Sequence, residues 1–136
     1  MTQHYIDTKQ IVAWEQDKDG KPGYAVKYPD GYISWSPKDV FEAAYLAQGH
    51  DGSRINEDMV DDFIASTEGT RMGNHAVILV TLRNGFTLIE ESACVDPANY
   101  SQVLGENYAL KKAKARVWNY LGFLLATARN GINHGE

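Results

Sequence analysis

Four groups of side chains in this chain are of types that bind charged or planar ligands. Arg71 lies in residues 66–74, STEGTRMGN, a stretch with two glycines just ahead of an apolar run. A guanidinium in a glycine-bearing loop fits a phosphate contact, and fits equally well an ordinary surface charge. Asn84-Gly85-Phe86 offers an amide to read polar groups and a ring for a base to stack on. Such stacking is worth ~1–3 kcal/mol per base in nucleic-acid complexes. Asp96-Pro97-Ala98-Asn99 reads as a helix start, whose first N–H groups favour phosphate, with Asn99 as a second amide. Lys111, Lys112 and Arg116 supply positive charge further on. None of these requires a ligand, since a core Phe, a turn Asn and exposed helical cations are all common without one.

Catalytic patterns are sparse. Cys94 and Ser92 follow an expected strand and His75 starts the one before it, but no nucleophile signature surrounds them. A free Cys after a strand is usually a small hydrophobe. HExxH, CxxC, GxSxG, GxGxxG and P-loop patterns do not occur. His4, His50, His75 and His134 are scattered, and Glu57, Asp58, Asp61 and Asp62 read as the solvated face of a helix, not a calcium loop. The residues therefore predict no catalytic centre, no metal site and no cofactor.

The chain has 136 residues, 43% of them hydrophobic and 23% charged, which suits one domain or one domain with a small module. A single cysteine excludes an internal disulfide. The first ten residues lack the basic and apolar segments of a signal peptide, and no apolar run approaches a membrane span. A cytoplasmic location is the expectation. The net charge of −5 is uneven: residues 1–70 carry −7 and residues 71–136 carry +2. An acidic first half disfavours general nucleic-acid binding, while the basic second half suits a small anionic ligand.

The elements that would position these groups follow from periodicity and turn chemistry. Residues 9–36 read as an antiparallel β meander, with turn formers at 17–23 and at Pro29-Asp30-Gly31. Ser36-Pro37 opens a helix that Gly49 ends. The aromatic cluster of Trp14, Tyr24, Tyr28, Tyr32 and Trp35 fits a sheet core or a recognition face. His50-Asp51-Gly52-Ser53 is the linker, giving an N-terminal module at 1–50 and a second domain at 51–136. A helix is predicted over 54–66 and a loop over 66–74. Ala76 to Leu82, AVILVTL, reads as a fully buried strand. Asn84-Gly85 predicts a type I′ hairpin, with Phe86 to Glu90 returning. Asp96-Pro97 restarts a helix, Gly105 marks a break or a close contact, and a long helix runs from Glu106 to about Ala128. Residues 132–136 are expected to fray. The expected class is α+β: a small N-terminal antiparallel β meander with one helix, then a helix, a β-hairpin and a long C-terminal helix.

The stretch TLRNGFTLIEESACVDPANYSQVLGENYALKKAKARVWNYLGFLL resembles the phage gene-product-49-like family. The shared marks are Asn84-Gly85-Phe86, Glu91-Ser92-Ala93-Cys94, Asp96-Pro97-Ala98-Asn99-Tyr100, Gly105, Ala109, Ala113, Trp118 and Gly122-Phe123-Leu124-Leu125. The likeness spans about residues 55–128. It departs at Lys111-Lys112, where an acidic or amide pair is expected. That family is similar to the first type of Thoeris anti-defence protein, a phage sponge that holds cyclic ADP-ribose-like signals, and in some members cyclic oligonucleotides, without cleaving them. The resemblance implies a non-enzymatic protein that sequesters a small cyclic nucleotide as a homodimer or higher homo-oligomer. Arg71, Asn84, Phe86, Asp96, Asn99 and Arg116 are the candidate ligand contacts. Within the first fifty residues, which lie outside this likeness, the stretch DGYISWSPKDVFEAAY resembles a short module at the front of assorted phage proteins. The first fifty residues support the alternative of an interaction module binding a host protein through its aromatic face.

Overall fold

The structure is a computed structural model, and it describes residues 1–49 and 51–132. His50 of the expected linker and residues 133–136 of the expected frayed end, with His134, lie outside the described residues. The chain is α+β, with two three-stranded antiparallel sheets and three α-helices among the described residues. It divides into two compact units: Met1–Arg54 with the chain from Gly122 onward, and Ile55–Leu121.

In the first unit β1 (Val12–Glu15), β2 (Gly23–Lys27) and β3 (Ile33–Pro37) form the meander in that order. Ala25 and Val26 of the central strand are its buried core. Gly23 has no room for a side chain because the Trp35 ring lies against it. The Trp35 indole N–H donates to the Gln16 carbonyl at 2.6 Å. Helix α1 (Lys38–Ala44) is shorter than expected. Ser36 lies within β3 instead of capping, and Pro37, the last residue of that strand, holds the N-cap position without a side-chain hydrogen bond. The helix stops before Gly49 because Tyr45 turns extended and stacks on Phe41 at 4.8 Å, which in turn stacks on Tyr24 at 4.2 Å. Ring stacking thus wins over continuing the apolar stripe, and Val40 is left exposed.

The second unit starts with α2 (Glu57–Phe63), capped by the Asn56 side chain, which accepts from the Met59 N–H at 2.9 Å. Then come β4 (Ile64–Met72), β5 (His75–Leu82) and β6 (Thr87–Ala93), paired in that order. The helix predicted to residue 66 ends at Phe63, and the predicted loop at 66–74 is mostly strand. Residues 66–72 carry no apolar alternation because β4 is an edge strand, exposed along nearly its whole length. Backbone pairing to β5 holds it, from Ile64 opposite Leu82 to Met72 opposite His75. Strand β5 is central but not fully buried: Ala76, Ile78, Val80 and Leu82 are buried, while Val77, Leu79 and Thr81 are half-buried. Its apolar run serves one covered and one open face.

The hairpin forms at the expected place with a different turn. Gly85 has φ +86°, whereas Asn84 does not enter the positive-φ region. The Gly85 N–H donates to the Leu82 carbonyl at 2.9 Å, and the Leu82 N–H donates to the Phe86 carbonyl at 2.8 Å. This is a three-residue loop, a type I turn closed by a left-handed glycine, so the two-residue type I′ expectation is corrected.

A 3-10 turn (Pro97–Asn99) and then α3 (Gln102–Asn130) complete the chain. The helix restart predicted at Asp96-Pro97 is therefore this short turn, and the long helix begins four residues before Glu106. Gly105 does not break α3. A Cβ at that position would lie 2.5 Å from the Ala76 Cβ, so the glycine allows close approach to β5. Gly105 opens a stripe repeated every four residues, Ala109, Ala113, Val117 and Leu121, all of them buried. The small residues at the start of the stripe allow the close approach at Ala76, and Val117 and Leu121 are buried further along the helix, as Val80, Leu82 and Leu88 are in the sheet. Among the described residues no helix is long and apolar enough to cross a membrane.

Candidate functional site

The six expected ligand residues fall into two clusters at opposite ends of the second sheet. The strand between them, His75 to Leu82, spans roughly 23 Å at ~3.3 Å per residue. Within one copy they do not line a single pocket.

At the turn end lie Asn84, Phe86 and Arg116. The Asn84 carboxamide oxygen accepts from the Phe86 N–H at 3.0 Å, an internal turn contact. The Phe86 ring meets Tyr120 edge-on at 5.7 Å and is more than half exposed. Arg116 is heavily engaged. It donates to the Glu90 carboxylate at 3.0 Å, to the Ile89 carbonyl at 3.2 Å and to the Tyr120 hydroxyl at 2.9 Å. The Glu90 hydrogen bond, then that to Tyr120, raise the guanidinium pKa above its already high value. Lys112 donates to the Glu91 carbonyl at 2.7 Å. Arg116 and Lys112, one turn apart on α3, thus occupy alternate carbonyls on the free edge of β6.

At the other end lie Arg71, Asp96 and Asn99. The Asp96 carboxylate accepts from the Ala98 N–H at 3.0 Å, and so fills the turn it was expected to open to phosphate. The Asn99 N–H closes the same turn on the Asp96 carbonyl at 2.9 Å. Arg71 is on β4, not in a loop. Its guanidinium carbon sits 3.8 Å from the centre of the Tyr100 ring. Its Nε donates to the Gly73 carbonyl at 2.7 Å, and its two terminal nitrogens have no acceptor among the described residues. Tyr100 in turn donates to the Gln102 side chain, which reaches the Thr70 carbonyl at 3.1 Å.

Beside this cluster His75 Nδ1 meets the Glu91 carboxylate at 2.6 Å across the β5–β6 pair. That hydrogen bond holds the Glu91 carboxyl below its ordinary value. The Cys94 thiol donates to the Asp96 carbonyl at 2.9 Å. An open depression of about 400 Å³ on α3 is lined by Leu104, Asn107, Tyr108, Leu110, Lys111 and Lys114. Sequence reasoning missed Tyr100 and Tyr120, the rings beneath Arg71 and Arg116. Tyr120 stands four residues after Arg116, a helical spacing that flags the pair. Tyr100 is 29 residues from Arg71, and nothing local links them.

Fold and clusters together define a small α+β protein whose exposed chemistry is cation against aromatic ring. The chain belongs to the phage protein (N4 Gp49/phage Sf6 gene 66) family, whose profile matches residues 55–129, more than half of its length. No curated protein and no solved structure matches it.

Proposed function

We propose that this phage protein sequesters a small cyclic nucleotide signal of the host's defence, of the cyclic ADP-ribose or cyclic oligonucleotide kind, and does so without cleaving it in the host cytoplasm. The observation that carries the reading is the Arg71–Tyr100 contact, an exposed guanidinium held 3.8 Å over the centre of a ring, with two terminal nitrogens that have no acceptor among the described residues. Stacking fixes the guanidinium plane in advance, which suits bidentate contact with a phosphate. Asn99 follows Asp96 in the same turn and offers an amide for a base or ribose hydroxyl. Phe86 offers the second ring, about 23 Å away along β5. One ligand can therefore touch both clusters only if a second copy brings its own, which favours a site shared between protomers of a homo-oligomer. Asn84, Asp96 and Arg116 would act by holding the two clusters in shape, since their side chains are engaged within the chain.

The test is thermal shift and calorimetry against cyclic ADP-ribose isomers and cyclic di- and trinucleotides. A ligand that binds only the folded state stabilises it by RT ln(1 + [L]/Kd), about 4 kcal/mol at a thousandfold excess over Kd. One compound should produce such a shift and be recovered intact after boiling. Arg71→Ala should weaken its binding by roughly 10- to 100-fold, as expected for charge-assisted hydrogen bonds of ~1.5–3 kcal/mol. Conversion of the compound points to an enzyme, and no shift with any of them discards the reading.

A second reading rests on the first unit. Val12, Trp14 and Ile33 lie on one sheet face, Val12 and Ile33 flanking Lys27, and all three are exposed, with Tyr32 beyond them. A host protein could dock on that face, in which case residues 1–50 would decide its capture and the nucleotides would leave stability unchanged.

A further inference from the structure

The two edges of the second sheet differ. On β6, the carbonyls of Ile89 and Glu91 receive Arg116 and Lys112, so this edge is plugged by α3. On β4 the one such contact among the described residues is from Gln102 to the Thr70 carbonyl at 3.1 Å, and Thr70 belongs to the set of residues that bond inward to β5. The even-numbered residues of β5 direct their backbone groups to β6, as the Leu82 hydrogen bonds with Phe86 and Gly85 establish. The odd-numbered residues of β5 therefore bond to Glu68, Thr70 and Met72. Thr67, Gly69 and Arg71 are left with N–H and C=O groups pointing outward from an exposed strand. An exposed edge of this length without proline is a template for another strand.

We infer that β4 pairs antiparallel with β4 of a second copy, in a register centred on Thr70, to make a continuous six-stranded sheet. Hydrogen-bond parity and charge select this register. Only odd-numbered residues can exchange hydrogen bonds across the edge, so the two-fold axis can fall at Glu68, Gly69 or Thr70. Centring on Glu68 sets two carboxylates face to face. Centring on Gly69 does the same for Glu106, whose carboxylate lies where a Gly69 side chain would be. Like charges directly opposite are destabilising. Centring on Thr70 instead puts a threonine pair at the axis and sets Gly69 opposite Arg71 of the second copy. The free terminal nitrogens of that arginine then face the Glu106 carboxylate, once on each side of the axis. Each terminal nitrogen carries two N–H donors, so a carboxylate does not exhaust the guanidinium. The pairing stands independently of any nucleotide.

The test is sedimentation equilibrium of the full chain without ligand, together with amide hydrogen exchange. The wild type should be dimeric, with the Gly69 and Arg71 amides protected. Arg71→Glu should weaken the dimer by about tenfold or more, as loss of two close charge pairs allows. Glu106→Arg should do the same, and the double variant R71E/E106R should restore it. A monomeric wild type overturns the inference, as does a dimer indifferent to Arg71→Glu. Free exchange of the Gly69 and Arg71 amides in the wild type overturns it too, and this measurement holds even where a variant fails to fold.

Discussion

Two arginines with similar surroundings have opposite assignments, and hydrogen-bond accounting separates them. Arg116 spends its donors on Glu90, Ile89 and Tyr120, whereas Arg71 spends one on Gly73 and rests its face on Tyr100. Replacing Arg116 should therefore lower stability more than ligand affinity, while replacing Arg71 should lower ligand affinity more than stability. Denaturant titration beside calorimetry on the same two alanine variants would show a crossed pattern, and a parallel loss in both would contradict it. Glu91 carries a pH signature. Its carboxyl is held below the ordinary 4.5 by the hydrogen bond to His75. A depressed carboxyl pKa stabilises the fold above the unfolded-state value, and that contribution is lost as pH falls through the folded-state pKa. Melting temperature should thus decline on acidification through the glutamate range, and Glu91→Gln should flatten the decline. An identical slope in the variant would refute the linkage. Arg71 and Arg116 were legible as candidate contacts because their types are. Their partners were not, because the acceptors are a carbonyl two residues on in one case and a strand 26 or 27 residues back in the other.

Turn chemistry was legible at the level of elements, and loop length decided the turn type. Asp19-Gly20 has positive φ at both residues, with Lys18 and Lys21 exchanging backbone hydrogen bonds, a two-residue type I′ turn. Pro29-Asp30-Gly31 and Arg83-Asn84-Gly85 instead make the same three-residue loop. In each the glycine N–H returns to the residue before the loop, and the Asx side chain accepts the N–H of the aromatic residue that follows. The dipeptides Asp-Gly and Asn-Gly are near-equivalent locally, so the register of the flanking strands, set by which apolar residues face inward, chooses between them. The helix α3 carries a sharper test. Gly→Ala in an open helix gains about 1 kcal/mol. At Gly105 the new methyl would sit 2.5 Å from Ala76, and overpacking of this kind costs ~1–3 kcal/mol. Gly105→Ala should be net destabilising in urea, and adding Ala76→Gly should recover much of the loss. A stabilised single variant would mean that the helix does not lie against β5 at this point.

For the whole molecule, β5 should be the last element to exchange its amides. It is flanked by strands on both sides and contributes Ala76, Ile78, Val80 and Leu82 to the buried core. Hydrogen exchange should rank its amides slowest and those of α1 among the fastest, since α1 buries no residue; equal protection in the two would contradict this reading of the core. The α+β class, the meander, the hairpin position and the long helix were all readable from the chain. Apolar periodicity, turn residues and capping are local properties, and they survive without knowledge of neighbours. Strand β4 was not readable, because an edge strand exposed along its length carries no apolar alternation and exists only through pairing with β5. The early end of α1 was decided by the Tyr24–Phe41–Tyr45 stack, a contact between separate elements. The division of the expected ligand residues into two clusters was likewise invisible, since strand direction places Arg71 and Phe86 at opposite ends of a sheet. Residue types announce what chemistry is available, but the distance between two side chains is set by the backbone pairing and helix packing that run between them.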